Sequence, residues 1–401
     1  MTRLIVKVDY YDKEEKLKIE KNFPDDFPLI EAIVRKEISI SYEDFKVYAV
    51  LGFQYDANGF RTFNDLSKIG QGISRFETLL HYNPQIQSLI KTTPERPVIN
   101  DVSEELGIAG GLAIAGEIYS LTQADWQLIP QITSHKDFDF GLIAANHHKY
   151  INIEAKGCIT AKNSVKDSAV SKHRNKIHAK KADTKFKAKY DYKTDTCLGF
   201  ITVADSSNVL QVWIVDPSFN RPSMSPEVMK LLKRIYYYYS LIHSFAPKAI
   251  ITTAIANRYN ILQKLGDFSG LDGLPLVNSS MEKIIISEAF FQSRTTDNGN
   301  TIVGRFFFTK QQLIFIGIHT SCFNLLIGQN HDEINSFSIS QSTRQTTLNG
   351  VVNKRYSNFI DRLSDRERII NRREKNSQIL FNINMEVTIT SSGMCFAYLH
   401  F

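Results

Sequence analysis

The sequence predicts an α/β protein in three parts, and three observations carry that reading. Residues 1–75 alternate apolar and charged positions in short strand-like runs around one helical run. Residues 101–262 interleave helical and strand patterns in the order expected of a sheet covered on its faces. Residues 275–401 are rich in strand-like runs. At 401 residues the chain has room for two or three domains, and with 43% hydrophobic and 22% charged residues it has the composition of an ordinary globular protein.

In the first part, Leu4–Val8 and Leu17–Ile19 read as the strands of a hairpin. Pro28–Lys36 reads as a helix capped by Asp25 or Asp26, and Phe45–Leu51 as a third strand before the turn cluster Asp56–Gly59. Residues 76–100, with Pro84, Pro94 and Pro97, read as a linker. The central part predicts a Gly/Ala-rich helix over Glu104–Thr122 and strands over Ile132–Ile143 and Tyr150–Lys156 around the turn Asn146–Lys149. A basic helix over 162–190 follows, then strands over Leu198–Ala204 and Leu210–Val215. Pro226–Phe245 reads as a helix capped by Ser225, and Lys248–Ile255 as a further strand. In the last part, strands are expected at Lys283–Ile286, Val303–Thr309, Leu313–Ile318, Ile379–Ile383 and Glu386–Thr390, with a charged helix over Asn353–Lys375.

The four cysteines, Cys158, Cys197, Cys322 and Cys395, form no CxxC pair. That favours a reducing compartment, cytoplasmic or nuclear, over a secreted disulfide scaffold or a zinc ribbon. Charges at Lys7, Asp9, Asp12 and Lys13 argue against a signal peptide. No apolar run approaches the ~18 residues of a membrane span. No GxxxxGK[ST], GxSxG or HExxH motif occurs. The charge is uneven: residues 162–193 hold eleven Lys/Arg against three Asp, more positive than the whole chain at +6. A basic segment of this density suggests a phosphate-binding surface, with Lys162, Lys166, Lys172, Arg174, Lys176, Lys180 and Lys181 as its contacts. A solvated charged helix or a nuclear-targeting cluster is the plainer reading. His147, His148, His173 and His178 read as surface residues.

The chemistry concentrates in the central hairpin. Alternation puts Asn152, Glu154 and Lys156 on one face of the second strand and Ile151, Ile153 and Ala155 on the other. In the first strand Asp137 and Asp139 share a face opposite Phe138 and Phe140. A two-residue turn sets Asp139 opposite Glu154, and a four-residue turn sets it opposite Lys156. Either register gathers two carboxylates and an ammonium about 5 Å apart, with Asp137 as the fallback acid. Two carboxylates so close call for a cation between them, and oxygen donors suit Mg²⁺. A cross-strand salt-bridge cluster on a surface hairpin is the plainer alternative.

Asp139 followed by Glu154-Ala155-Lys156 resembles the PD-(D/E)XK, or restriction-endonuclease-like, nuclease superfamily, although Phe138 stands where the motif has Pro. The order of elements over 101–255 fits as well. The resemblance implies a mixed sheet flanked by helices and a Mg²⁺-dependent phosphodiesterase, with Mn²⁺ able to substitute. It further implies metal ligation by Asp139, Glu154 and the Ala155 carbonyl, a water handled by Lys156, and support from Glu117 on the preceding helix. The partner it implies is nucleic acid, DNA before RNA. Residues 1–75 resemble a ubiquitin-like β-grasp unit, which would recruit a protein partner. Such a header before a nuclease domain is loosely similar to Crinkler-type effectors. The rival readings are a nucleic-acid-binding protein that keeps the fold without catalysis, and an interaction protein.

Overall fold

The computed structural model describes residues 2–54, 76–91, 100–128, 140–144, 149–182, 196–215, 226–265, 270–276, 295–297, 301–308, 312–364, 369–375 and 377–400, except 78 and 248. The chain is mixed α/β and divides into two compact units, whose described residues fall within 1–230 and 231–401. No described helix is long and apolar enough to cross a membrane.

The first unit opens with strand β1 (Arg3–Tyr10), helices α1 (Lys13–Asn22) and α2 (Phe27–Ile33), strand β2 (Glu37–Ser41) and helix α3 (Tyr42–Gln54). A two-stranded sheet, β3 (Leu80–Asn83) and β4 (Ser88–Lys91), precedes the long helix α4 (Asn100–Tyr119). Then come β5 (Trp126–Leu128), β6 (Phe140–Ala144), β7 (Lys149–Ile159), helix α5 (Ser168–Ala182), β8 (Thr196–Ala204) and β9 (Leu210–Val215). Seven of these strands form one sheet in the order β2-β1-β9-β8-β7-β6-β5. β1 runs parallel to β9 and β7 parallel to β8; the other neighbours are antiparallel.

The N-terminal expectation changes here. Leu17–Ile19 lies inside α1, where Asp12 caps the Glu15 amide at 2.8 Å and Glu15 and Ile19 are buried one turn apart. Phe45–Leu51 lies inside α3, whose Phe45, Tyr48 and Ala49 are all buried. A helix covered on most of its surface shows no polar stripe, so its sequence reads as a strand. β1 joins the large sheet through β9, so residues 1–54 form neither a β-grasp nor a separate unit. The expected linker holds the β3–β4 hairpin, turned by Gln87 in the left-handed region at φ 48°.

The helix α6 (Pro226–Phe245) carries the division between the units, and α7 (Ile250–Leu265) occupies the run expected as a strand. Its Ile251, Ile255 and Leu262 are buried at helical spacing despite the β-branched composition. The second unit continues with β10 (Thr295–Asp297), β11 (Ile302–Phe308), β12 (Gln312–His319), helices α8 (Thr320–Gly328) and α9 (His331–Ser336), and β13 (Ser342–Asn353). Helix α10 (Ser357–Ser364), β14 (Ile369–Lys375), β15 (Gln378–Ile389) and β16 (Met394–His400) complete it. The charged run 353–375 is therefore a short helix and a strand. The sheet order β13-β10-β11-β12-β16-β15 closes on itself because β15 also pairs with β13, and β14 adds to the edge of β15. Side chains fill the resulting barrel, among them Phe306, Phe315, Phe381 and Ile383, with Ile360 and Leu363 of α10 in the same core. Lys283–Ile286 lies outside the described residues.

Candidate active site

Strand β7 lies inside the large sheet, between β6 and β8, and its alternation is as read from the sequence. Ile151, Ile153 and Ala155 join the core shared with α4. Glycine allows that helix to lie directly on the strand: a Cβ at Gly107 would sit 2.4 Å from the Gly157 nitrogen, and one at Gly157 would sit 1.8 Å from the Ser103 carbonyl. The opposite face packs against α5, where Val170 and Ile177 meet Cys158, Ile201 and Val203.

Glu154 and Lys156 share the α5 face. Glu154 is fully buried, and its Oε1 lies 2.5 Å from Lys156 Nζ, whose side chain keeps 21% of its exposure. The same ammonium donates to the Ala155 carbonyl at 3.2 Å. Lys156 thus touches two of the three groups that the resemblance assigns to a metal. Two oxygens converging on one cationic centre fit a hard divalent ion. Among the described residues no group of three or more His, Cys, Asp and Glu side chains could hold a metal. Asp137 and Asp139 lie outside the described residues, as do His147 and His148. The described part of the hairpin pairs Ala144 with Lys149 and Phe140 with Ile153. These pairs follow the register drawn for a two-residue turn.

Glu117 does not join the pair. It is exposed in the last turn of α4, and the glycine contacts of that helix place it against the Ala155 side of the sheet. Arg3 draws its carboxyl down, against the rise that burial causes. The small-residue face that recommended this helix is used for close packing on β7.

The basic segment divides into two sets. Lys162, Lys166, Lys172 and Lys176 are exposed. Arg174 is bound: Nε and Nη2 donate to Glu15 Oε1 of α1 at 2.9 and 2.7 Å, with Asp12 and Glu14 at 3.7 and 3.8 Å. It also lies over the Tyr11 ring at 5.1 Å. Arg174 is therefore a tether between α5 and α1 and is removed from the phosphate-contacting set. Lys180 and Lys181 fall in the last turn of α5, their side chains outside the described set.

Neither helical histidine is a plain surface residue. His178 Nε2 meets Glu15 Oε1 at 2.7 Å. His173 is half-buried, and burial, reinforced by Lys176 and Lys156, pushes its imidazole down to about 4. A signal for His173 was present in the stripe Val170, His173, Ile177, whose i, i+3, i+7 spacing marks the buried face of α5. No family model matches the chain, and neither the curated proteins nor the solved structures contain a significant match.

Proposed function

We propose that the chain is a metal-dependent nuclease that hydrolyses phosphodiester bonds in nucleic acid, with DNA preferred because the PD-(D/E)XK resemblance favours it. The observation that carries this reading is the Glu154–Lys156 pair on an inner strand, 2.5 Å apart and on the same side of the sheet as the basic helix α5. The element order α4, β5, β6, β7, α5, β8 supports it. Asp139, Glu154 and the Ala155 carbonyl would hold Mg²⁺. When bound, the ion lowers the pKa of a water and offsets charge building on the phosphate. Lys156, which lies against Glu154 and the Ala155 carbonyl, would orient the attacking water by donating to it. Lys172 and Lys176 hold the backbone phosphates through charge.

A second reading has its own observation. The Lys156 ammonium already lies against Glu154 Oε1 and the Ala155 carbonyl, which is what a purely structural ion pair in a non-catalytic nucleic-acid-binding protein would show. Mg²⁺ titration followed by calorimetry, paired with plasmid digestion in Mg²⁺, Mn²⁺ and chelator, separates the two. The nuclease reading expects saturable Mg²⁺ binding lost in Asp139→Asn and cutting only with metal. DNA binding without metal uptake or cutting supports the second reading.

A further inference from the structure

We propose that the outer face of the C-terminal barrel, where β14, β15 and β13 lie side by side, binds the major groove of B-form duplex DNA through a row of asparagine amides with two cations on one side of it.

The face follows from the register. Ile379, Phe381 and Ile383 of β15 and Leu348 of β13 point into the barrel and are buried. The residues between them point outward. Asn371 of β14 lies opposite Asn382 of β15, which lies opposite Asn349 of β13. At a strand spacing of about 4.8 Å, three amides line up across roughly 10 Å of surface. Asn384, one row on, accepts the Thr347 hydroxyl at 2.7 Å, which fixes the orientation of its amide. Arg373 and Lys375 stand on the same outer face of β14, and both are exposed. Their strand neighbours Arg372 and Glu374 face the other way and are tied to Asp361 and Lys354. The cations on the outer face are thus the ones not engaged in that network. One acid, Glu386, shares the face at the end away from Arg373.

Charge on an edge strand also guards against edge-to-edge pairing. That role needs charge alone and does not account for the row of amides. An amide offers a donor and an acceptor in one plane and pairs with the adenine edge, while Arg and Lys pair with guanine or phosphate. The outer face of these three strands carries no aromatic side chain, which sets it apart from the stacking platforms used for single strands. Strands enter the major groove of B-form DNA in one established class of reader, whereas the A-form major groove of duplex RNA is too deep and narrow for them. This inference stands on the second unit alone and does not depend on cleavage by the first.

The test is fluorescence anisotropy of a labelled DNA duplex with the full-length protein in chelator, so that binding is read without cutting. Duplex RNA and heparin serve as competing polyanions. All variants are compared in the Lys172→Glu/Lys176→Glu background, which removes the contribution of α5. Arg373→Gln/Lys375→Gln is expected to weaken binding at least about tenfold and to reduce the salt slope by about 2. Asn371→Ala/Asn382→Ala is expected to cost about five- to tenfold with the slope unchanged. Asn371, Arg373 and Lys375 are exposed and Asn382 is half-buried, and unaltered melting of each variant verifies the fold. Retained affinity in the combined four-site variant, or equal affinity for heparin or duplex RNA, overturns the proposal.

Discussion

Glu15 and Glu154 in the first unit are fully buried carboxylates with cations against them, yet they are built differently. Glu15 on α1 is reached from another helix, by Arg174 through two nitrogens and by His178, with Lys18 of its own helix at 3.8 Å. Glu154 on β7 is held by Lys156, two residues along its own strand. The first arrangement joins elements that are 159 residues apart in the sequence and acts as a tether. The second lies between two positions of one strand. A buried ion pair on the face that meets the basic helix is a candidate for chemistry.

The largest expected effect separates the two. Glu15→Ala removes the anion from a network whose cations are partly exposed, and it should cost about 3 kcal/mol of stability. Added Mg²⁺ should restore none of it. Lys156→Met leaves Glu154 buried without its ammonium and should cost about 2 kcal/mol in chelator, part of which Mg²⁺ restores because the ion replaces the lost charge. Chemical denaturation with and without metal reads both. Identical metal responses in the two variants would erase the distinction.

A second effect concerns pH. The folded-state His173 imidazole titrates near 4, below its ordinary 6.5. Between those values the unfolded chain binds the extra proton, so stability rises with pH across the window and is lost as pH falls through it. The contribution is on the order of 2 kcal/mol after allowing for partial exposure. His173→Asn should flatten the melting temperature between about pH 4 and 6.5. An unchanged slope would mean that another group carries it.

The smallest effect divides the basic helix. Lys172→Glu/Lys176→Glu should leave the stability within about 0.5 kcal/mol of wild type while weakening DNA binding and reducing its salt slope. Arg174→Gln should do the reverse, lowering stability with DNA affinity nearly intact. Equal effects on binding would return Arg174 to the phosphate-contacting set.

The same contrast explains what the sequence discloses. Glu154 and Lys156 are legible because a strand alternates locally, and β8, β9 and α6 are legible because their apolar runs are continuous and bounded by turn residues. Leu210–Val215 and Pro226–Phe245 have the bounds the pattern gives. The Glu15 tether is illegible because nothing local marks which of the eleven basic residues in 162–193 an acidic helix will capture. Helix α3 reads as a strand in the sequence because it is buried nearly all round, and α7 because its first turns are β-branched. Strand β1 looked like part of a separate unit because a parallel partner some 200 residues away leaves no local trace. The closure of the barrel by β13 and β15 is equally non-local.

Single-turnover cleavage of an end-labelled DNA duplex tests the central claim most directly, with wild type, Glu154→Gln and Lys156→Ala compared in Mg²⁺ and in chelator. Cutting by the wild type that stops in chelator and falls at least about a hundredfold in both variants is the predicted result. Undiminished cutting by either variant, or a wild type that binds the duplex and leaves it intact in Mg²⁺ and Mn²⁺, contradicts it.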